Sequence, residues 1–314
     1  MHLIFLNPQG NFDKNDSYWT MHPDFGGQLV YVKEIACSMA KLGHKIDIIT
    51  RRFDDNNFPE FKDQFDEYDG IENLRIIRIP CGPNKFLNKE LLWEYINEWT
   101  DNIIKFYEED NSMFDFMTGH YGDGGLACAI LKSKLQIGFS FTGHSLGAQK
   151  LDKLGANLGN IEQLDKKYQF TKRIMAERLA IQYSDLIFVS TSQEQTEQYT
   201  HPLYLSTTNN SNPLKFIITP PGANTNVFAP YSGNNVEEKM IIRIENIVKR
   251  DISKSREQLP FIISASRLDP KKNHIGLVKA YANNEELQSK ANLLISVRGI
   301  KNAFEDYSNA STEE

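Results

Sequence analysis

The sequence predicts an α/β fold: two domains of parallel sheet covered by helices, facing a cleft. Three observations carry that expectation. Short apolar runs alternate with longer helical patterns along the chain, the signature of parallel strands joined by crossover helices. Pro220-Pro221-Gly222 follows the apolar run Phe216-Ile217-Ile218-Thr219 and divides the 314 residues into domains 1–222 and 223–314. Two anion-binding signals lie about 240 residues apart, Asp24-Phe25-Gly26-Gly27-Gln28 and Ser266-Arg267-Leu268-Asp269-Pro270-Lys271-Lys272-Asn273.

Strands are expected at 2–6, 45–50, 74–79, 114–118, 137–142, 186–190, 215–219, 261–265 and 293–298, where apolar and β-branched residues cluster. Between the first two, Leu29, Val32, Ala36, Met39 and Leu42 keep helical spacing, and Gly43 stops the helix. The acidic, aromatic-spaced stretch 53–70 reads as a solvated connection. A second helix runs through Leu91, Tyr95, Ile96, Trp99 and Ile103, and a long third one spans about 162–184. Beyond 222, a helix carries Met240, Ile241, Ile244, Ile247 and Val248, and two strands flank a helix near 274–284. Two strands make a poor sheet. The second domain therefore reads as incomplete.

Composition is that of a globular protein, 40% hydrophobic and 24% charged. A net charge of −6 excludes general nucleic-acid affinity, because no basic excess exists to displace counterions. Cys37, Cys81 and Cys128 are far apart and sit in apolar contexts, which fits reduced core thiols and not a disulfide framework or metal site. Met1 leads directly into a strand, and no apolar run approaches the ~18 residues of a membrane span. The expectation is a cytoplasmic protein whose partners are small molecules, with no nucleic acid and no membrane. Its oligomeric state is not readable.

The chemistry starts from the two anion signals. Gly26 and Gly27 open a helix, so backbone N–H groups can approach an anion closely where the helix dipole favours negative charge. Arg267 and Lys272, after the run Phe261-Ile262-Ile263-Ser264-Ala265, supply cations for the opposite jaw of a phosphate clamp. A reaction that expels a diphosphate is the suggestion. Gly143-His144-Ser145-Leu146-Gly147 matches the nucleophile elbow of serine hydrolases. Only His201 and His274 follow it, in no strand-end context, and no oxyanion loop accompanies it. Gly122-Asp123-Gly124-Gly125-Leu126-Ala127 fits a dinucleotide fingerprint but lacks the ribose-binding carboxylate about 20 residues on. Both loops are better read as ligand-facing turns at strand ends, carrying Tyr121, Asp123 and His144. Lys89, Lys150, Arg173 and Arg178 could each be plain surface. Their helices face one sheet edge, where a sugar phosphate would need such a cluster, but spacing does not say which arginine points inward.

The run Asn7-Pro8-Gln9-Gly10, then Asp16-Ser17-Tyr18-Trp19 and His22 to Val32, resembles sucrose-phosphate synthases. So do His120-Tyr121-Gly122-Asp123-Gly124-Gly125, Thr142 to Gly147, Val189 to Glu194, and Ser266 to Asp269 with Lys271-Lys272-Asn273-His274. The resemblance implies a GT-B fold of two Rossmann-like domains and a retaining glucosyltransferase that makes sucrose 6-phosphate from UDP-glucose and fructose 6-phosphate. It implies that Gly26, Gly27, Arg267 and Lys272 bind the donor. Gln28, Lys89, Tyr121, Asp123, Ser145, Lys150 and Arg173 would bind the acceptor, with Lys89 and Arg173 on its phosphate. His144, Arg267 and Lys272 would be the catalytic residues, and no cofactor or metal is implied, the two cations standing in for a divalent ion. The family pattern continues past Arg298-Gly299 into a paired-glutamate donor segment that the 314 residues do not contain. The chain is therefore expected to be truncated in its second domain and to show little or no activity alone. A non-catalytic sugar-phosphate-binding remnant is the alternative, and a hydrolase on Ser145 a third reading.

Overall fold

The computed structural model describes residues 1–19, 26–208, 213–225, 228–233, 235–266 and 272–297. They form two compact units, Met1–Asn224 and Thr225–Glu314.

The first unit holds β1 (His2–Leu6), α1 (Gly27–Lys41), β2 (Lys45–Arg52), β3 (Phe65–Asp66), β4 (Leu74–Pro80), α2 (Ile96–Glu109), β5 (Phe116–His120), α3 (Tyr121–Leu135) and β6 (Phe139–Thr142). It continues with α4 (Gly147–Lys153), α5 (Ile161–Tyr168), α6 (Phe170–Tyr183), β7 (Leu186–Val189), α7 (Pro202–Thr208) and β8 (Phe216–Ile218). Its sheet has the order β3-β4-β2-β1-β5-β6-β7-β8 and is parallel except for the antiparallel β3–β4 edge. Both faces are covered. Leu3 and Phe5 of β1 enter one apolar cluster with Leu29, Val32 and Ala36 of α1, while Ile4 and Leu6 enter the other with Trp99, Ile103 and Leu131. This alternation is the period of two that a strand imposes.

Strand order reverses beside β1. The chain moves out to β2 and β4, then returns to lay β5 on the other side of β1, with Leu6 opposite Gly119. In an open parallel sheet such a reversal leaves a crevice beyond the carboxyl ends of the two strands. The loops after β1, β5 and β6 all open there.

The glycines of 119–125 are there for packing. A Cβ on Gly124 would stand 2.3 Å from the Leu6 carbonyl oxygen, and one on Gly125 2.6 Å from Ala180 Cβ. They let α3 lie against β1 and α6 with no side chain between. Gly26, by contrast, has nothing within 4 Å of an added Cβ. Gly124→Ala should therefore cost about 1–3 kcal/mol, because a backbone carbonyl cannot swing aside. Gly26→Ala should stay within about 0.5 kcal/mol of the parent. Urea midpoints would decide it, and equal stabilities would contradict the packing role.

Two sequence expectations need correction. The stretch 53–70 is not a solvated connection. Phe53, Phe61 and Tyr68 are buried, and Phe58 packs on Phe86 with ring centroids 4.7 Å apart. Beneath it the buried Arg78 donates to the carbonyls of Phe12 (2.6 Å) and Asp63 (3.0 Å) and to Asp66 (2.9 Å). The helix expected over 162–184 is broken into α5 and α6. Gln169 takes a left-handed conformation (φ 52°), and the Asp165 side chain accepts the Thr171 N–H at 2.6 Å. The three cysteines are buried and free, as expected.

The second unit contains α8 (Asn235–Asp251), β9 (Phe261–Ala265), α9 (His274–Ala282), α10 (Glu285–Lys290) and β10 (Asn292–Ser296). β9 and β10 pair in parallel, with Asn292 opposite Phe261. Arg256 ties them to α9, donating to Asn292 Oδ1 (3.0 Å), the Tyr281 hydroxyl (3.1 Å) and the Ala291 carbonyl (2.8 Å). Among the described residues, no helix is long and apolar enough to cross a membrane.

Candidate functional site

A pocket opens at the strand reversal. Gln9 enters from the loop after β1, Tyr121 and Asp123 from the start of α3, and Lys150 from α4. Lys89, Glu90 and Trp93 come from the 3-10 turn before α2, Tyr168 from the end of α5 and Arg173 from α6. Five residues proposed for the acceptor from resemblance are thus brought together: Lys89, Tyr121, Asp123, Lys150 and Arg173. Three of the nine lining residues are cationic and two acidic, so an anion is the ligand that this wall favours.

Of the two arginines left open by spacing, Arg173 is the inward one. It is 4% exposed, its Nε donates to Glu177 Oε1 (2.9 Å), an Nη donates to the Ser145 carbonyl, and its guanidinium lies over the Tyr121 ring at 4.4 Å. Arg178 turns to the Leu203 carbonyl and Ser206 instead. The break at Gln169 separates the helices that carry Tyr168 and Arg173. Lys150 rests 4.3 Å over the Tyr168 ring.

Asp123 is 2% exposed. Burial pushes its carboxyl up to about 7, against the opposing pull of the Gly124 N–H and of Arg173 and Lys89. Oδ1 accepts the Gly124 N–H at 2.9 Å, and Oδ2 is buried with no hydrogen-bond partner. An orphaned buried oxygen costs about 1–3 kcal/mol, a cost that a ligand hydroxyl would remove. Tyr121 itself sits in a left-handed conformation (φ 68°), the strained turn from strand to helix.

Glu177, which sequence reasoning did not single out, organises this wall. It is fully buried, accepts the Gly147 N–H on both oxygens at 3.0 Å, accepts the Tyr204 hydroxyl, and balances Arg173. It joins the turn after β6 to α6. Its i, i+4 spacing from Arg173 was the available signal. Gln9 was also missed as a lining residue, although it lies in a motif that drew attention.

The turn after β6 carries His144 and Ser145. His144, not Ser145, is the residue in the left-handed conformation (φ 56°). Its Nε2 lies 3.0 Å from His120 Nδ1, and its ring meets Tyr31 edge-on at 5.0 Å. Burial lowers its pKa to about 4, so the ring is neutral at pH 7. Ser145 is exposed and contributes its backbone, its N–H to the Gly143 carbonyl (2.6 Å) and its own carbonyl to Arg173. The histidine beside this turn is paired with another histidine, not with Ser145, which is not the geometry of a hydrolase nucleophile.

Gly26 and Gly27 begin α1 with exposed backbone and no side-chain cap, and neither φ value nor packing requires glycine there. Gln28 is not among the residues lining the pocket; it donates to Asn7 Oδ1 (2.7 Å) and accepts from the lining residue Gln9 (3.3 Å). In the second unit Lys272 is exposed just before α9, whose cap Asn273 accepts the Gly276 N–H at 3.2 Å. His274 lies 3.1 Å from Ser266 Oγ. Arg267 lies outside the described residues, as do Asp24, Phe25, Lys271 and Arg298-Gly299.

A doubly wound parallel sheet with an anion-favouring pocket at its strand reversal is the arrangement of a GT-B glycosyltransferase domain. The solved sucrose-phosphate synthase of Thermosynechococcus elongatus shares the fold, with a TM-score of 0.59 and 17% identity over 95% of this chain and 71% of that one. Residues 1–249 match the family described as the sucrose synthase first GT-B domain, and the chain belongs to that family. A probable sucrose-phosphate synthase of Thermosipho melanesiensis is 44% identical over 98% of this chain and 66% of its own length. A mannosylfructose-phosphate synthase of Agrobacterium fabrum is 29% identical over 90% of this chain and 58% of its own. The chain thus spans less than two thirds of either relative.

Proposed function

We propose that this chain carries the acceptor site of a hexosyltransferase that makes sucrose 6-phosphate from UDP-glucose and fructose 6-phosphate. The observation that carries it is the pocket at the β1/β5 reversal. Lys89, Lys150 and Arg173 line it as partners for a phosphate, and Asp123, whose Oδ2 is unsatisfied, lines it as partner for a sugar hydroxyl. Family membership supports a sugar reaction, and the two relatives are both named for phosphorylated disaccharides that contain fructose.

The backbone amides at Gly26 and Gly27 would face the donor diphosphate, which needs the close approach that a side chain would block. Arg267 and Lys272 would stabilise the charge that grows as UDP leaves, with no metal or other cofactor. Retention would follow if the leaving phosphate itself took the acceptor's proton on the same face of the glucose ring. Gln28 would bind the acceptor sugar, and Ser145 would line the acceptor site.

Fructose 6-phosphate should bind the chain more tightly than fructose by about 1.5–3 kcal/mol, roughly 10- to 150-fold, the worth of charge-assisted contacts to phosphate. Calorimetry would measure it. Lys89→Ala should narrow the difference. Equal affinities would remove the phosphate assignment, and with it the acceptor reading.

A further inference from the structure

His144 is tied to a second buried histidine, which no part of the acceptor reading uses. Thr118 and His120 are two residues apart on β5 and therefore share a face of the strand. Thr118 Oγ1 lies 3.1 Å from His120 Nε2, and His120 Nδ1 lies 3.0 Å from His144 Nε2. The His120 ring stacks parallel on Phe5 with centroids 5.7 Å apart and is 2% exposed. Its orientation is fixed by packing, and among the described residues its nitrogens reach only Thr118 and His144.

Burial pulls both imidazoles well below their ordinary pKa, His120 further still because His144 is beside it. Two neutral rings in series leave two ways to place the protons. In the first, the Thr118 hydroxyl donates to His120 Nε2, His120 Nδ1–H donates to His144 Nε2, and His144 carries its hydrogen on Nδ1. In the second every bond is reversed. His144 Nε2–H then donates to His120, His120 Nε2–H donates to Thr118, and the threonine hydroxyl hydrogen is turned away from the chain. Among the described residues, His120 Nε2 is the hydrogen-bond partner of that hydroxyl. The first arrangement gives the Thr118 hydroxyl and the His120 Nδ1–H an acceptor and leaves the His144 Nδ1–H at an atom that is not sealed in the interior, whereas the second leaves the Thr118 hydroxyl hydrogen without one. An unmet donor in a half-buried strand costs more than a made bond gains.

We propose that His120 is the positioning residue for His144, and that the Thr118–His120–His144 chain holds His144 as the Nδ1–H tautomer. His144 then presents a hydrogen-bond donor to the site, suited to a sugar hydroxyl or phosphate oxygen, and not a lone pair suited to taking a proton. The side chain that orients one ring nitrogen decides what the other offers. That a substrate oxygen is the acceptor rests on the glucosyl-transfer reading. The tautomer does not.

The test is the chain labelled with 15N-histidine and examined by long-range 1H–15N correlation at pH 7 without substrate. The sequence has seven histidines. Two rings are expected in the neutral Nδ1–H pattern, one lost in His120→Asn and the other in His144→Gln. In His120→Asn the amide N–H replaces the donor and His144 keeps its Nδ1–H pattern. In His120→Leu the donor is gone, and His144 moves toward the Nε2–H form. A wild-type His144 carrying its hydrogen on Nε2, or charged, overturns the proposal, as does an unchanged His144 pattern in His120→Leu. Should calorimetry find no preference for the phosphorylated sugar while the two Nδ1–H rings are present, the acceptor reading fails and the relay stands.

Discussion

Glu177→Ala should destabilise the first unit by about 3–5 kcal/mol, the usual result of removing one partner of a buried ion pair. The carboxylate is fully buried and serves three groups at once: the Arg173 guanidinium, the Gly147 N–H and the Tyr204 hydroxyl. Alanine leaves a cation in the interior, supported by the Ser145 carbonyl and the face of Tyr121. Glu177→Gln keeps an acceptor for Gly147 but loses the charge, so it should fall between parent and alanine. Arg173→Ala combined with Glu177→Ala should cost less than the sum of the two single changes, because the second deletion removes the charge that the first left stranded. Urea unfolding of the four proteins closes this cycle. A Glu177→Ala variant within 1 kcal/mol of the parent would show that the turn at 143–147 does not depend on this residue. Sugar-phosphate affinity should fall with it, since Arg173 and the turn move together.

Most of the sheet was legible because β1, β2, β4 and β6 are buried on both faces and so read as nearly continuous apolar runs. Ile46, Ile48 and Ile49 of β2 and Ile76, Ile77 and Ile79 of β4 could hardly be anything else. The two-residue edge strand β3 carries no such run and was invisible. The stretch 53–70 misled for a related reason. Phe53, Phe58, Phe61 and Tyr68 turn inward while Asp54, Asp55, Asp63 and Asp69 give the segment a polar average, and averaging cannot tell which side chains pack. The break between α5 and α6 is made by Gln169, a residue that announces no turn, and the stabilising contact comes from the Asp165 side chain.

At the site, residue types and strand-end placement pointed to Tyr121, Asp123 and His144, and the structure gathers the first two with Lys89, Lys150 and Arg173. The direction of Arg173 was not legible, because it depends on Glu177 meeting a backbone N–H 30 residues earlier. Nor was the pairing of His120 with His144. It exists because β5 and β6 run side by side with His120 opposite Thr142, a register that only the folded sheet defines.

Asp47 on β2 is the second place where one carboxylate should dominate stability, and its dependence on pH has a definite sign. It is fully buried, with Arg75 Nε at 2.8 Å, His2 Nε2 at 2.7 Å and the Tyr107 hydroxyl at 2.7 Å. Burial alone would raise its pKa, but the bonds from Arg75, His2 and Tyr107 outweigh it and hold the carboxyl at about 2, below its ordinary 3.8. A carboxyl whose pKa is lower in the folded than in the unfolded chain stabilises the fold above the unfolded value. That contribution is lost as pH falls through the folded one. The window is therefore about pH 4 down to 2, and the contribution is on the order of 2 kcal/mol. Asp47→Ala should cost about 3–5 kcal/mol at pH 7, because Tyr107 and His2 are left buried without their acceptor while Arg75 can still reach Asp110. Asp47→Asn should cost less and should flatten the acid limb. Other carboxylates titrate in the same range, so the informative quantity is the difference between parent and Asp47→Asn unfolding free energies at each pH. That difference should be constant from pH 7 to about 4.5 and shrink toward pH 2. Two curves that stay parallel throughout would mean that Asp47 is held by packing and not by its charge.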